Sequence, residues 1–239
     1  MTAPVLVLVA GDPVPQVLSE RGGFADLIRA AAGSAWEGPW LEVDLRRGAP
    51  LPGAGSIAAV VITGSASSVT DREPWVMRGE EYLRHLVSCH VPVFGICFGH
   101  QMLGQALGGH VARNPRGREI GTVDFVVLAA DPILDGAAPP LRANTTHVDT
   151  VQRLPSGAIV LARTEREPHA AVRFSERAWG VQFHPEMDAA VVCGYIDSRR
   201  DVLRAEGLDP DELIRSADDG TAGKATLTRF LEMTSRGFR

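Results

Sequence analysis

Short runs of consecutive apolar residues divide the first half of the chain into regular segments. Continuous apolar runs are typical of strands covered on both faces of a sheet, and stretches with apolar residues at helical spacing lie between them. The predicted strands are 5–9, 40–45, 57–62 and 91–96, and the predicted helices are 24–32 and 73–86. Strands that alternate with helices indicate an α/β fold with a mostly parallel central sheet and helices on both faces.

The second half has shorter apolar segments separated by glycine and proline. The predicted strands are 110–113, 122–128, 158–162, 170–174 and 179–183, with a polar loop at 114–121. Strands this short, without helical segments between them, favour antiparallel neighbours beside the main sheet. No repeat and no shift in composition divides the chain, so we expect a single domain over 1–239.

Residues from about 187 to 239 predict a helical C-terminal extension. The predicted helices are 188–196, 208–213 and 221–233. In the second of them, Asp209 precedes Pro210, which is the arrangement of an N-cap followed by proline at the first helical position. We expect these helices to pack on the sheet; the sequence leaves open that they cover a site or form the face of a homodimer.

Composition and charge exclude some classes of function but do not identify a particular one. The chain has 239 residues, 45% of them hydrophobic and 22% charged, which is ordinary for a globular protein. A net charge of −5 gives no electrostatic basis for binding nucleic acid or an acidic membrane. The N-terminus has no basic leader, and its apolar run is too short to span a membrane. The expected location is therefore the cytoplasm, where a thiol stays reduced.

A cysteine between two glycines follows the predicted strand at 91–96. Gly95, Cys97 and Gly99 lie between this strand and a helical pattern that begins directly afterwards. This is the layout of a nucleophile elbow, in which a tight turn presents one reactive side chain. A helix that begins at the thiol also favours the thiolate through its free N–H groups and dipole. The alternative is a buried structural cysteine at the end of a strand.

The strand at 57–62 ends in a loop of small residues that begins Thr63, Gly64, Ser65. Ligands of open parallel sheets bind beyond the carboxyl ends of the strands. A glycine in such a loop can bring a backbone N–H close to a substrate oxygen. A simple turn between a strand and a helix is the alternative for this loop.

A second candidate group stands at the end of the strand at 179–183. His184 and Glu186 flank Pro185, which prevents the strand from continuing. A cysteine nucleophile needs a base, usually histidine, and a carboxylate can orient that histidine. The alternative is that His184 is a surface loop residue and Glu186 a charge at the start of a helix.

Together the two groups resemble the motifs of the class I glutamine amidotransferases. The segment GICFGHQ is similar to the elbow of that family, and FHPEM, about 90 residues later, is similar to its His-Pro-Glu motif. The segments TGS, EIG and THVD resemble the amidotransferase domain of GMP synthase within the family. The resemblance covers roughly residues 3–190 and implies a flavodoxin-like sheet.

The resemblance implies a Cys-His-Glu triad and an acyl-enzyme mechanism. Cys97 corresponds to the nucleophile that attacks the side-chain amide of glutamine, His184 to the general base and acid, and Glu186 to the carboxylate that orients it. The implied reaction proceeds through a γ-glutamyl thioester and releases ammonia and glutamate.

The resemblance also implies an oxyanion hole and residues that bind the substrate. The oxyanion would meet the backbone N–H groups of Phe98 and Gly64, although Thr63 stands where the family often has a first glycine. The residues expected to bind the substrate are Gln101, His147 and Asp149.

The other histidines and the cysteines give no further site. His100 is expected to pack inside the protein, and His85, His90, His110 and His169 are expected at the surface. No spacing of histidine, cysteine or carboxylate predicts a metal site, and the resemblance implies no cofactor.

Three functions are compatible with these residues, and we predict glutamine amidotransferase chemistry with an unknown acceptor. The first is a glutaminase that delivers ammonia to a synthetase partner, since the sequence carries no phosphate-binding loop for ATP. The second is a stand-alone hydrolase of γ-glutamyl peptides or amines, because the same thioester forms from any γ-glutamyl amide. The third is a non-catalytic binding protein. The presence of all three residues of the triad disfavours it, because such a protein has no chemical need for them.

Overall fold

The computed structural model describes residues 2–136, 139 and 141–238. Within these residues the chain forms twelve strands and eight α-helices. The strands are β1 (Val5–Val9), β2 (Trp40–Asp44), β3 (Ala59–Ile62), β4 (Val93–Ile96), β5 (His110–Arg113), β6 (Glu119–Asp124), β7 (Val126–Val127), β8 (Arg142–His147), β9 (Asp149–Arg153), β10 (Ile159–Arg163), β11 (Ala171–Ser175) and β12 (Ala178–Val181). The helices are α1 (Pro15–Arg21), α2 (Phe24–Ala32), α3 (Pro74–Ser88), α4 (Phe98–Ala106), α5 (Ala189–Asp197), α6 (Arg200–Ala205), α7 (Pro210–Arg215) and α8 (Thr221–Arg236).

Eight strands form the central sheet in the order β2-β1-β3-β4-β12-β11-β10-β7. The five strands from β2 to β12 are parallel, and β11, β10 and β7 continue the sheet in antiparallel pairs. The predicted α/β fold, with antiparallel strands beside a parallel sheet, is confirmed. Strand β12 pairs in parallel with β4, although the two strands are far apart in the sequence.

Alternate residues of the parallel strands pack on two separate layers of helices. Val5 and Val7 of β1 face the layer that contains α2 and α8, whereas Leu6 and Leu8 face the layer that contains α3 and α4. All four side chains are fully buried. Each buried aliphatic side chain of this kind stabilises the fold by about 1.5–3 kcal/mol. Because both faces are covered, the strands read as unbroken apolar runs in the sequence.

Two small antiparallel sheets, β5-β9 and β6-β8, lie beside the central sheet. The prediction of a loop over 114–121 is wrong at its end, because β6 begins at Glu119. Strands β8 and β9 were not predicted. Their sequence from 142 to 153 is largely polar, so no apolar alternation marks them. Asn144 of β8 is buried with hydrogen bonds to Thr122 and to the Met187 carbonyl oxygen, and Thr145 is buried with no hydrogen-bond partner for its hydroxyl among the described residues.

The C-terminal helices pack against the rest of the molecule in two groups. Helix α8 buries Leu227, Phe230 and Leu231 against the central sheet, as expected of these helices. Helices α5, α6 and α7 instead gather around Ile120 of β6. The predicted cap is confirmed, because the Asp209 side chain accepts from the first N–H groups of α7. Helices α1 and α6 were not predicted.

Four parallel strands end at one edge of the sheet and define the region of the site. The residues that follow β1, β3, β4 and β12 include Gly11, Gly64, Cys97 and Gln182. No helix within the described ranges is long and apolar enough to cross a membrane.

Candidate active site

Cys97 forms a strained turn between β4 and α4. Its backbone has φ 49° and ψ −101°, outside the usual conformations of a residue with a side chain. A Cβ at Gly95 would lie 2.5 Å from the Gly99 carbonyl oxygen, and one at Gly99 would lie 2.5 Å from the Ile62 carbonyl oxygen. Neither position therefore has room for a side chain, which explains the glycine on each side of the cysteine. The predicted elbow geometry is present.

The Cys97 thiol meets two polar groups from other strands. The side-chain amide of Gln182, just beyond β12, donates to Sγ at 3.4 Å. The carbonyl oxygen of Thr146, near the end of β8, lies 3.9 Å from Sγ. An amide donor favours the negative thiolate. Gln182 has no predicted role, because a single glutamine at a strand end has no distinguishing pattern in the sequence.

His184 and Glu186 form a buried hydrogen-bonded pair beside the thiol. Nδ1 of His184 donates to Oε1 of Glu186 over 2.7 Å, while Nε2 has no hydrogen-bond partner among the described residues. The histidine ring stacks near Phe24, with the ring centres 6.3 Å apart. Both members of the pair are buried, so the alternative of a surface loop histidine is wrong.

Charge compensation keeps the His184 ring protonated. Burial alone lowers the pKa of His184, but the Glu186 carboxylate and the Cys97 thiolate outweigh it and raise the pKa to about 10. The site can therefore hold a protonated imidazole beside the cysteine. Such a pair combines a nucleophile with a proton donor for the leaving group.

The two residues predicted to form the oxyanion hole follow neighbouring strands of the central sheet. Phe98 is the first residue of α4, a position whose N–H has no partner within the helix. Gly64 follows β3, and a Cβ there would lie 2.9 Å from Cε1 of His184. The Thr63 side chain accepts from the N–H of Ala10 and donates to the Gly64 carbonyl oxygen, so it fixes the loop. The oxyanion hole of Gly64 and Phe98 stays a prediction.

Gln101 links the elbow helix to the thiol's neighbours. Its side-chain nitrogen donates to the Asp149 carbonyl oxygen at 2.8 Å and to Oε1 of Gln182 at 3.1 Å. The Asp149 carboxylate accepts a hydrogen bond from Ser68. Gln101 therefore supports Gln182, which in turn contacts Cys97. Binding of substrate by Gln101 and Asp149 stays a prediction.

His147 belongs to a buried cluster of charged groups behind the segment from β8 to β9. Its Nε2 lies 3.3 Å from the Glu119 carboxylate, its cross-strand neighbour, and its Nδ1 donates to the Asp149 carbonyl oxygen at 3.0 Å. Burial disfavours the charged ring, but the hydrogen bond to Glu119 and the nearby Glu167 carboxylate raise the pKa of His147. Both ring nitrogens already have protein partners. Contact between His147 and a substrate stays a prediction.

The remaining histidines differ in how far they are exposed. His100 is fully buried against Phe174, and burial lowers its pKa to about 3, so the prediction of a packing role is confirmed. His85, His90 and His110 are exposed, as predicted. The prediction for His169 is wrong, because its ring is half-buried and bonds the Val151 carbonyl oxygen at 2.7 Å.

Two adjoining compartments open on either side of Cys97. The His184 compartment has a volume of about 230 Å³ and is also lined by Pro13, Phe24 and Tyr195. The Gln101 compartment has a volume of about 250 Å³ and is also lined by Phe98, Val148 and Asp149. Cys97, Thr146 and Arg199 line both. Within the described part of the chain, no three histidine, cysteine or carboxylate side chains are grouped to hold a metal ion.

Sequence relatives are found among the glutamine-hydrolysing GMP synthases. GMP synthase from Aeropyrum pernix is 39% identical over 130 residues, which are 54% of this chain and 24% of that protein. The enzyme from Thermosipho melanesiensis is 32% identical over 191 residues, 77% of this chain and 32% of that one. The chain thus spans a third or less of the length of these relatives. The glutamine-hydrolysing GMP synthase subunit from Methanococcoides burtonii is 34% identical over 138 residues, 54% of this chain and 72% of that protein.

Solved structures and a family pattern agree with these relatives. A glutamine amidotransferase from Thermotoga maritima superposes with a TM-score of 0.76 and 23% identity, covering 98% of each chain, which shows a common fold. Residues 49–191 match the pattern of the family described as glutamine amidotransferase class-I. This segment contains Cys97, His184 and Glu186. The chain therefore belongs to the class I glutamine amidotransferase family.

Proposed function

We propose that the protein hydrolyses the side-chain amide of glutamine through a covalent intermediate on Cys97. The observation that carries this proposal is the meeting of a strained elbow cysteine with a buried His184–Glu186 pair at one cavity. The triad has the three roles needed for acyl transfer: a nucleophile, an acid and base, and a carboxylate that orients the base.

In the first half-reaction the Cys97 thiolate attacks the amide carbon. The C=O bond becomes a C–O⁻ single bond, and the N–H groups of Phe98 and Gly64 stabilise the negative oxygen. The protonated His184 gives its proton to the nitrogen, the carbon–nitrogen bond breaks, and ammonia leaves. The carboxylate of Asp149, in the Gln101 compartment, is suited to bind the α-ammonium group of the substrate.

The second half-reaction restores the enzyme. His184, now neutral, takes a proton from water as the water oxygen attacks the thioester carbon. The carbon–sulfur bond then breaks, and glutamate and the Cys97 thiolate are released. Glu186 stabilises the imidazolium that forms in this step through the hydrogen bond to Nδ1. One water is consumed, and one ammonia and one glutamate are produced.

For the ammonia we propose a synthetase partner that accepts it. The support is the similarity to the protein from Methanococcoides burtonii, which is one subunit of its GMP synthase rather than the whole enzyme. The second candidate is hydrolysis of γ-glutamyl peptides or amines by the same thioester route. It is favoured by the His184 compartment, which is much larger than ammonia requires.

Release of glutamate from glutamine by the purified protein tests the proposed chemistry. Cys97→Ala is expected to lower the rate at least about 1000-fold, because no other group replaces the nucleophile. The matched control is Cys89→Ala, which removes an exposed thiol and should keep the wild-type rate. Equal rates for wild type and Cys97→Ala, on glutamine and on a γ-glutamyl dipeptide, would refute the assignment of the nucleophile.

A further inference from the structure

Arg199 is a cation of the catalytic cavity that has no carboxylate partner in the described part of the chain. It lies between α5 and α6 and lines both compartments. Its guanidinium stacks on the Tyr195 ring at 4.9 Å and donates to the Tyr195 carbonyl oxygen at 3.4 Å. Arg118, the other arginine of the cavity, is held by Glu206 through two hydrogen bonds of 2.8 and 3.1 Å. Of these two arginines, Arg199 is therefore the one whose positive charge is available to a ligand.

The surroundings of Arg199 favour a bound anion. The side chain is half-buried, and a buried charge is usually paired. Burial lowers the pKa of the Arg199 guanidinium, so an anion beside it would stabilise the charged form. A guanidinium matches a carboxylate through two parallel hydrogen bonds, and stacking on Tyr195 fixes its plane for that contact.

The position of His184 decides which part of a substrate would meet Arg199. His184 gives a proton to the leaving nitrogen, so the leaving group occupies the compartment that His184 lines. Tyr195, which holds Arg199, lines the same compartment, whereas Phe98 and Gln101 line the other one. The leaving group therefore lies in a compartment that Arg199 and Tyr195 both border.

Ammonia does not account for the size of this compartment. A water molecule, which is similar in size to ammonia, needs about 10–15 Å³ of cavity volume. The His184 compartment has about 230 Å³. A leaving group with the dimensions of an amino acid uses this space, and its carboxylate would reach toward Arg199.

We propose that Arg199 and the His184 compartment form a subsite for a leaving amino acid, so that γ-glutamyl peptides with a free carboxylate are substrates. The inference rests on the proposed thioester chemistry at Cys97. In the reaction the carbon–nitrogen bond of the γ-glutamyl link breaks, the amine takes the proton of His184, and the amino acid leaves in place of ammonia. Water then hydrolyses the thioester as it does for glutamine.

The test compares γ-glutamylglycine with γ-glutamylglycinamide, which differs from it by the charge of the carboxylate. The wild type is expected to show a kcat/KM about 10- to 100-fold higher for the carboxylate compound, the effect of one charge-assisted pair. In Arg199→Met the two compounds should have about equal kcat/KM values. Arg199→Lys should show a preference for the carboxylate compound that is smaller than that of the wild type. The readout is the ratio of the two kcat/KM values, because a variant that loses activity equally on both compounds leaves this ratio unchanged. Arg204→Met, at an exposed arginine of α6, is the matched control and should keep the wild-type ratio.

Binding to the Cys97→Ala protein separates failure of the subsite from failure of the chemistry. Calorimetry with the same two compounds measures discrimination without turnover. Tighter binding of γ-glutamylglycine that Arg199→Met removes would support the subsite even if the wild type hydrolysed neither compound. Equal binding of both compounds, or an equal loss for both in Arg199→Met, would overturn it. With either of these results, glutamate release from glutamine would still decide the proposed function independently.

Discussion

Cys97 has a positive backbone φ, outside the usual regions, which costs about 1–3 kcal/mol for a residue with a side chain. The contacts of Gly95 and Gly99 with neighbouring backbone allow the turn to be this tight. The same steric requirement is why the elbow could be predicted from the sequence: only glycine fits on either side. Gln182 could not be predicted, because its contact with Sγ depends on how two strands are aligned and leaves no pattern in the residues around it.

Replacing the Gln182 amide with a carboxylate tests its contact with sulfur. Gln182→Glu would put a negative charge about 3.4 Å from Sγ, where an amide now donates. Repulsion should disfavour the thiolate and slow alkylation of Cys97 by iodoacetamide at neutral pH by about tenfold or more. The measurement uses mass spectrometry of the peptide that contains Cys97.

Gln182→Leu is the matched control for that experiment. It removes the donor without adding charge, so alkylation should slow less than in Gln182→Glu. If all three proteins reacted at one rate, the amide would have no influence on the thiolate.

The raised pKa of His184 predicts how stability depends on pH. The folded pKa of about 10 exceeds the unfolded value of about 6.5, so the native state holds the extra proton between them. The stabilisation is complete below about pH 6.5 and is lost as the pH rises toward 10. Removing the Glu186 carboxylate should reduce this stabilisation.

Urea unfolding between pH 6 and 9 measures the effect, in a Cys97→Ala background where the Glu186 carboxylate raises the pKa of His184 without the contribution of the thiol. There the free energy of unfolding should decline with rising pH, by at most about 1.4 kcal/mol per unit. Adding Glu186→Gln should flatten the decline. An unchanged slope after that substitution would show that the His184–Glu186 pair does not hold the proton.

The segment from β8 to β9 shows how an element can be stabilised without apolar alternation. Several of its polar groups have partners inside the protein: the Asp149 carbonyl oxygen accepts from both Gln101 and His147, and the Asn144 side chain accepts from the Thr122 hydroxyl. Strands such as β1 could be predicted because burial on both faces requires apolar residues. Strands β8 and β9 could not, since their burial depends on partners, such as Glu119, that are distant in the sequence.

Removing the Glu119 carboxylate should loosen this segment. Glu119 bonds the Thr164 hydroxyl at 2.6 Å as well as the His147 ring. Glu119→Ala leaves a buried imidazole without its acceptor and should lower the free energy of unfolding by about 3–5 kcal/mol. Urea unfolding gives this number, and the KM for glutamine should rise because the 146–149 segment lines the cavity.

Glu165→Ala is the control, because Glu165 is an exposed carboxylate of the same region. It should change the free energy of unfolding by less than about 0.5 kcal/mol. Similar losses for the two variants would argue against a special role for the buried cluster.

At the scale of the whole molecule, the alternation of strands and helices in the first half was enough to predict the α/β fold. The order of the strands was not predictable from pattern, since β12 joins β4 across a long stretch of sequence. The extension 187–239 was predicted to be helical, but only the structure shows that α8 fills one face of the sheet while α5, α6 and α7 gather elsewhere.

Truncating one aromatic side chain tests how far α8 supports the sheet. The Phe230 ring lies 5.1 Å from the Phe94 ring of β4 and 6.1 Å from that of Trp179 in β12. Phe230→Ala should lower the free energy of unfolding by about 3–5 kcal/mol. The check is urea denaturation followed by circular dichroism. The control is Lys224→Ala, on the exposed side of α8, which should change the free energy of unfolding little. Equal free energies of unfolding for Phe230→Ala and wild type would mean that α8 is not part of the core.

The pairing of β12 with β4 sets the distance between the parts of the triad. Val181 lies opposite Ile96, and the N–H of Cys97 donates to the Val181 carbonyl oxygen at 2.8 Å. The placement of the proposed nucleophile relative to His184 is therefore independent of the length of the chain between them. We expect insertions in the exposed connections of that stretch to leave the proposed catalytic atoms in place, whereas a single residue gained or lost between 178 and 184 would separate them.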